Sequence, residues 1–156
     1  EKGAQAVATL RLHDFSPLAV QVEYGSLFQI DAFARTWPLA QVAVGTRFAV
    51  QADQRSKPVV DRLMDETYSL AQDSPIQFCL LACEPFLHGV FEHYGFREYL
   101  PPAILPGGVD LLRMVLVLDD EPHLSECGSP LLHLVRDPVR AMPAKAWLTR
   151  SFNVAG

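Results

Sequence analysis

The stretch from Ala40 to Cys83 constrains the fold most, because it predicts a strand, a helix and a second strand in succession. Ala40–Gln51 is rich in β-branched residues and is apolar on both faces at its far end, which is typical of a covered central strand. Pro58–Gln72 repeats apolar residues at helical spacing, and Ile76–Cys83 is a short apolar strand. A strand–helix–strand unit of this kind folds as a right-handed parallel crossover.

Further extended segments flank this unit on both sides. A second helix is predicted over Pro85–Tyr94, with Gly95 as its C-terminal cap. The segments that favour strands are Ala6–Leu12, Val20–Phe28, Phe96–Leu100 and Leu111–Leu118. Strands on both sides of a parallel crossover imply a mixed sheet. The predicted fold class is therefore α/β, more specifically α+β.

The pattern weakens beyond Asp120, where prolines recur at positions 122, 130, 138 and 143. We expect a short helix or strand near Pro130–Arg136, followed by an irregular segment that docks on the domain or on a partner. The sequence therefore predicts a domain over residues 1–120 and a Pro-rich extension over residues 121–156 that packs on it. Because the chain opens at Glu1 without a methionine, we expect it to be a fragment or a processed product.

Composition excludes several functional classes. A net charge of −5 over 156 residues leaves no basic excess for nucleic-acid binding. No apolar run approaches the roughly 20 residues that span a bilayer, and no secretory signal is recognised. The three cysteines are too few for a disulfide framework, and we expect Cys79 and Cys83 to be buried thiols. The five histidines lack metal-ligand spacing, so we expect no metal, and the expected compartment is the cytoplasm.

A phosphate site is expected where the Ala40–Gln51 strand meets the helix that begins at Pro58. Unpaired backbone N–H groups and the partial positive charge of a helix N-terminus attract phosphate. Arg55 and Lys57 add formal charge in the same turn, so a pyrophosphate or phosphopantetheine group is the natural ligand. The alternative is that both cations are ordinary solvated turn residues.

Two motifs at this point resemble the GNAT superfamily of acyltransferases. Arg55-Ser56-Lys57-Pro58-Val59-Val60 is similar to the acyl-CoA loop R/Q-x-x-G-x-G/A, and Cys83–Arg97 is similar to the later helix with its Y-E-x-x-G-F-R signature. The resemblance covers about residues 6–120. It implies a three-layer fold with a mixed, mostly antiparallel central sheet, from which the N-terminal strand and helices of the family are expected to be missing.

Within that superfamily the chain most resembles the long-chain N-acyl amino acid synthases and the N-acyl homoserine lactone synthases. The resemblance implies an N-acyltransferase that takes an acyl group from acyl-CoA or from the acyl-phosphopantetheine of an acyl carrier protein and places it on a small amine, such as an amino acid. It also implies a set of donor-binding residues: Phe48, Val50, Gln51, Arg55, Ser56, Lys57 and Val59. Amides around Val50–Gln51 are expected to orient the pantetheine arm and polarise the thioester carbonyl.

The chain departs from the family at several functional positions. Pro58 and Val60 replace the loop glycines, and Pro58 has no N–H to offer a phosphate. Phe91 stands where the family has a tyrosine that protonates the leaving thiolate, so Tyr94 is the candidate acid. An acidic residue of the central strand is replaced by Val44. The candidate bases are Glu84, which we take with Tyr94 as the catalytic pair, and then Glu23, Asp31 and His88.

Two other interpretations stay open. The chain could be a non-catalytic GNAT-like module that senses a ligand or docks a partner within a longer protein, as the lost glycines and Phe91 favour. An unrelated α/β domain would instead have a sheet without a V-shaped opening between the strands that start near Ala40 and Ile76. Phe33 and Trp37 are candidates for lining an acyl pocket, with plain core packing as the alternative.

Overall fold

A computed structural model of the chain describes residues 8–50 and 57–154. The strands are β1 (Ala8–Asp14), β2 (Val42–Val50), β3 (Phe78–Cys83), β4 (Arg97–Glu98), β5 (Ala103–Leu105) and β6 (Val109–Val117). The α-helices are α1 (Leu18–Phe28), α2 (Ile30–Ala34), α3 (Lys57–Gln72), α4 (His88–Tyr94), α5 (Glu121–Cys127) and α6 (Pro138–Phe152). The strand order is β1-β2-β3-β6-β4, with β5 paired to β6. Because only β2 and β3 pair in parallel, the sheet is mixed and mostly antiparallel, which confirms the predicted fold class.

The sheet separates two hydrophobic cores, and this makes the fold three-layered. Successive side chains of β3 point to different cores. Cys79 and Leu81 belong to the core under α3, α4 and α5. Phe78 and Leu80 belong to the core under α1, α2 and α6. Side chains of a strand alternate between faces, so a strand that is apolar at every position must be covered on both. β3 is therefore the central buried strand that its sequence predicts.

The two helices that border the later site form where the sequence predicts them. In α3, the apolar positions Met64, Tyr68 and Ala71 recur every three or four residues and are buried against the sheet. After a 3-10 turn over Pro85–Leu87, α4 ends at Gly95, which has a φ of 113°. That left-handed conformation favours glycine as the capping residue.

The sequence predicts a strand over Val20–Phe28, and this prediction is wrong. These residues lie in α1, and α2 follows it directly. β-branched residues favour strands only weakly, and tertiary packing overrides them. Here the helix buries Phe28, and Gly25 allows Ile30 of α2 to approach closely, since a Cβ at Gly25 would lie 2.9 Å from Ile30 Cγ2. One strand and two helices thus precede β2 in the described residues, where the family's N-terminal elements were expected to be missing.

The last segment is also more regular than predicted. The residues expected to be irregular form α6, which contains Pro143. Asp137 caps this helix by accepting a hydrogen bond from Arg140 N at 3.2 Å. An internal proline costs about 3 kcal/mol in a helix, but burial of Trp147 and Leu148 offsets that cost. Near Pro130–Arg136, a 3-10 turn spans Leu132–Leu134.

A buried aspartate joins α3 to this C-terminal segment. Asp119 has a φ of 64° and is 5% exposed. Its carboxylate accepts hydrogen bonds from the Tyr68 hydroxyl at 3.0 Å, from Gln72 Nε2 at 2.9 Å and from the Asp137 N–H at 3.1 Å. Buried carboxylates are tolerated when several donors satisfy them in this way.

Candidate functional site

The central opening of the sheet arises where β2 and β3 separate. The two strands pair through Val42 with Phe78, Ala43 with Cys79 and Val44 with Leu80. Beyond Val44 the register ends, although β2 continues to Val50 and β3 to Cys83.

The two strands therefore diverge in a V, and this excludes the alternative of an unrelated sheet without such an opening. The backbone of β2 that faces the opening is free of β3, so its amides can serve a ligand.

A β-bulge in β2 turns the end of the strand toward one side of the sheet. Thr9 pairs with Ala49 and Arg11 with Thr46, so two residues of β2 oppose one of β1. Arg47 in the bulge has a φ of 58°, and its carbonyl accepts a hydrogen bond from Thr9 Oγ1 at 3.2 Å. The bulge thus changes which side chains of β2 enter the opening.

Phe48 is the side chain that the bulge redirects. In a regular strand it would follow Val42 and Val44 onto the α1/α2/α6 face. After the bulge it lies on the opposite face, with its ring centroid 5.4 Å from that of Phe91. Phe91 in turn packs edge-on against Phe96 at 5.7 Å, so Phe48 packs on the buried core and is the one of these three rings that lines the cleft.

An open cleft of about 800 Å³ lies beside Phe48. It is bordered by the end of β2, the first turn of α3, and the turn and helix that follow β3. Its lining residues are Phe48, Ala49, Lys57, Val60, Phe86, Leu87, Gly89, Val90, His93 and Tyr94. Most of them are apolar, and the polar groups among the described residues gather on one side, as in many small-molecule sites.

Asp61 organises the polar side of the cleft. Its Oδ2 lies 2.9 Å from Lys57 Nζ, and its Oδ1 accepts a short hydrogen bond from the Tyr94 hydroxyl. Partial burial alone would raise the pKa of Asp61, but the Tyr94 hydroxyl and the Lys57 ammonium hold it below its ordinary value. Burial and the contact with Asp61 raise the pKa of Tyr94 above its ordinary value. At neutral pH the phenol therefore stays protonated beside a charged carboxylate.

Similarity to known proteins appears at the level of structure. No family model matches the sequence, and no curated protein matches it. Among solved structures, the chain is similar to FeeM, an N-acyl amino acid synthase from uncultured soil microbes, with a TM-score of 0.60 and 12% identity over 75% of this chain and 68% of FeeM. It is similar to MesI, a CoA-dependent acyl-homoserine lactone synthase, with a TM-score of 0.56 and 18% identity over 99% of this chain and 67% of MesI.

A third match is BjaI, a CoA-dependent acyl-homoserine lactone synthase solved with SAM and isopentyl-CoA, with a TM-score of 0.57 and 16% identity over 100% of this chain and 63% of BjaI. The chain has the fold of the GNAT acyltransferases. At these identities the likeness establishes the fold alone. The chain spans about two thirds of the length of these proteins.

The cleft contains some of the site residues that the sequence predicts. Phe48, Lys57 and Tyr94 line it together. Val59 lies in the first turn of α3 and is half-buried, but its neighbour Val60 lines the cleft instead. Gln51, Arg55 and Ser56 lie outside the described residues, as does the side chain of Val50.

The candidate bases lie elsewhere in the GNAT-like fold. Glu84 is exposed at the end of β3 and is not among the residues that line the cleft with Tyr94. His88 borders a separate depression of about 440 Å³, where its Nε2 lies 3.4 Å from Glu98. Glu23 and Asp31 are exposed on α1 and α2, the helices of the opposite layer.

The two aromatic residues considered for an acyl pocket belong to the core of the GNAT-like fold instead. Phe33 and Trp37 pack on Phe78, with ring centroids 5.4 and 5.1 Å apart, on the opposite side of the sheet from the cleft. In the described residues no group of three or more His, Cys, Asp or Glu side chains is placed to hold a metal ion. No helix in the same part of the chain is long and apolar enough to cross a membrane.

Sequence reasoning missed Asp61 and His93. The available signal for Asp61 was its position four residues after Lys57, a spacing that places both on one helix face. His93 lines the cleft one residue before Tyr94, and its ring lies 5.7 Å from the Tyr94 ring.

Proposed function

We propose that this chain is a GNAT-type N-acyltransferase that moves an acyl group from a pantetheine thioester to a small amine, such as an amino acid. The observation that carries the proposal is the divergence of β2 from β3 beside an apolar cleft with Lys57 on its polar side. FeeM is an N-acyl amino acid synthase and MesI a CoA-dependent acyl-homoserine lactone synthase, and their likeness to this fold supports the reaction class.

In this scheme the thioester lies along β2 in the opening. Unpaired amides near the end of β2 polarise the carbonyl, and the apolar lining receives the acyl chain. The Lys57 ammonium, 67% exposed, is available to a phosphate of the donor. CoA and a carrier-borne phosphopantetheine share this thioester and phosphate chemistry.

The chemical step exchanges one bond for another. The amine nitrogen attacks the carbonyl carbon, the C–N bond forms, and the C–S bond breaks with its electron pair passing to sulfur. The amine nitrogen loses a proton to the Tyr94 oxygen while the Tyr94 hydroxyl proton passes to Asp61, which releases it to solvent, and the departing sulfur takes a proton from solvent. The products are an amide and a free thiol. Amine attack on a thioester needs only this modest help with protons.

Donor binding is tested by calorimetry with an acyl-CoA and with an acyl carrier protein. Lys57→Glu is expected to weaken CoA binding by about tenfold, the value of a lost charge-assisted contact. Arg62→Glu is the matched control, because Arg62 lies on the same helix with its side chain 83% exposed, paired to Glu66 and outside the cleft. Equal weakening by both variants would contradict a specific role for Lys57.

A second candidate function is a non-catalytic GNAT-like module that senses a ligand or docks a partner. It is favoured by Phe91, which is buried and carries no proton for sulfur, and by the Tyr94 proton, which is already bonded to Asp61. Thiol release from acyl-CoA separates the two functions. The acyltransferase releases thiol in step with amide, whereas the module binds the donor and releases thiol only at the uncatalysed rate.

A further inference from the structure

Asp61 connects two side chains of the cleft that the proposed reaction uses separately. One carboxylate oxygen is paired with Lys57 and the other accepts the Tyr94 hydroxyl proton. Lys57 and Tyr94 line the cleft, while Asp61 lies one helical turn after Lys57 and behind both of them. The carboxylate is thus placed to act on the cleft through its neighbours.

The local charges give this carboxylate two opposed effects. It holds the Tyr94 hydroxyl with its one proton directed at Asp61, which leaves the lone pairs of the phenol oxygen to accept a proton from the cleft. It also occupies the Lys57 ammonium, and its negative charge repels a phosphate that approaches the same cation. The Asp61 side chain is 28% exposed, so solvent screens its charge only in part and both effects persist. The other charged groups near Asp61 and Tyr94 are His93 and Asp65.

We propose that Asp61 is a positioning residue that orients the Tyr94 phenol and competes with the donor phosphate for Lys57. This rests on the proposed acyl transfer, in which Lys57 meets the donor and the Tyr94 oxygen takes a proton from the amine. Asp61 thereby lowers the affinity for the donor but places the phenol oxygen better as a proton acceptor. A residue that only stabilises the fold would not produce such an exchange.

Two substitutions at Asp61 separate its hydrogen bond from its charge. Asp61→Ala removes both, so kcat is expected to fall by roughly tenfold or more, because positioned proton transfer contributes at least that much. Asp61→Asn keeps an acceptor for the phenol and is expected to restore part of that loss. Both variants are expected to bind CoA about two- to fivefold more tightly, the value of a partly exposed ion pair.

The experiment measures kcat for acyl transfer and the Kd of CoA by calorimetry. Tyr94→Phe is expected to lower kcat and leave the Kd of CoA unchanged. Glu66→Gln, in the exposed Arg62–Glu66 pair of the same helix, is expected to change neither. Parallel loss of kcat and CoA affinity in Asp61→Ala, or no change in either, would overturn the proposal.

A readout independent of turnover uses protein labelled with ¹³C at tyrosine Cζ. The chain has four tyrosines, and the signal absent from Tyr94→Phe identifies Tyr94. Asp61→Ala is expected to shift that signal and Glu66→Gln to leave it in place. An unshifted signal in an active protein overturns the positioning role alone. A wild-type chain that neither binds CoA nor releases thiol overturns the proposed function and the positioning role together, even if the signal shifts.

Discussion

Gly95 offers a sharp test of how α4, and with it Tyr94, is held against the sheet. The residue has a φ of 113°, and a Cβ built on it would lie 2.5 Å from Leu124 Cδ2 and 3.2 Å from Leu116 Cδ1. Gly95→Ala therefore combines backbone strain of about 1–2 kcal/mol with overpacking of about 1–3 kcal/mol. The expected loss is about 2–5 kcal/mol of unfolding free energy, with Tm lower by about 2–4 °C per kcal/mol.

Urea denaturation followed by circular dichroism measures this loss. Gly89→Ala is the matched control on the same helix, because nothing lies within 4 Å of a Cβ at Gly89 and its φ is not in the left-handed region. We expect Gly89→Ala to raise the unfolding free energy by about 0.4–1 kcal/mol, since alanine restricts the unfolded chain. If Gly95→Ala stays within about 0.5 kcal/mol of wild type, the reasoning about this cap is refuted.

Two further predictions concern buried polar and thiol groups. Asp119→Ala removes a carboxylate to which three groups donate and is expected to lower the unfolding free energy by about 2–4 kcal/mol in urea denaturation. Asp110→Ala, at an exposed position, should change it by less than about 0.5 kcal/mol. Burial raises the thiol pKa of Cys79 to about 12 and that of Cys83 to about 11, so mass spectrometry of native protein treated with iodoacetamide should find half-buried Cys127 modified first. Earlier modification of Cys79 would contradict the core packing.

The parts of the fold that the sequence predicts are those where one pattern dominates. β3 follows from an uninterrupted apolar run, β2 from a segment rich in β-branched residues, and α3 from one clear helical period. The strand prediction over Val20–Phe28 was wrong, because it relied on β-branched residues that favour a strand. The burial of Phe28 against the sheet stabilises the helix α1 instead. α6 was missed because Pro143 signals a break, and only the tertiary packing of Trp147 shows that the helix continues.

Some residues of the cleft were predictable from the sequence, but their arrangement was not. Lys57 and Tyr94 were identified from the motifs, yet their link through Asp61 depends on how α4 packs beside α3. The bulge at Arg47 places the side chain of Phe48 on the cleft side of the sheet. The bulge was not predicted, because Arg47 is neither a proline nor a glycine. Irregularities of this kind arise from strand pairing, which a single sequence does not encode locally.

The proposed activity of the cleft beside β2 is the transfer of acyl groups to amines. The most direct measurement incubates the wild-type chain with an acyl-CoA and a mixture of amino acids, and quantifies free thiol and N-acyl products by mass spectrometry. We expect amide and thiol in equal amounts, with slower formation in Tyr94→Phe. Donor binding without any amide above the uncatalysed rate would contradict it and leave the non-catalytic module as the function of this fold.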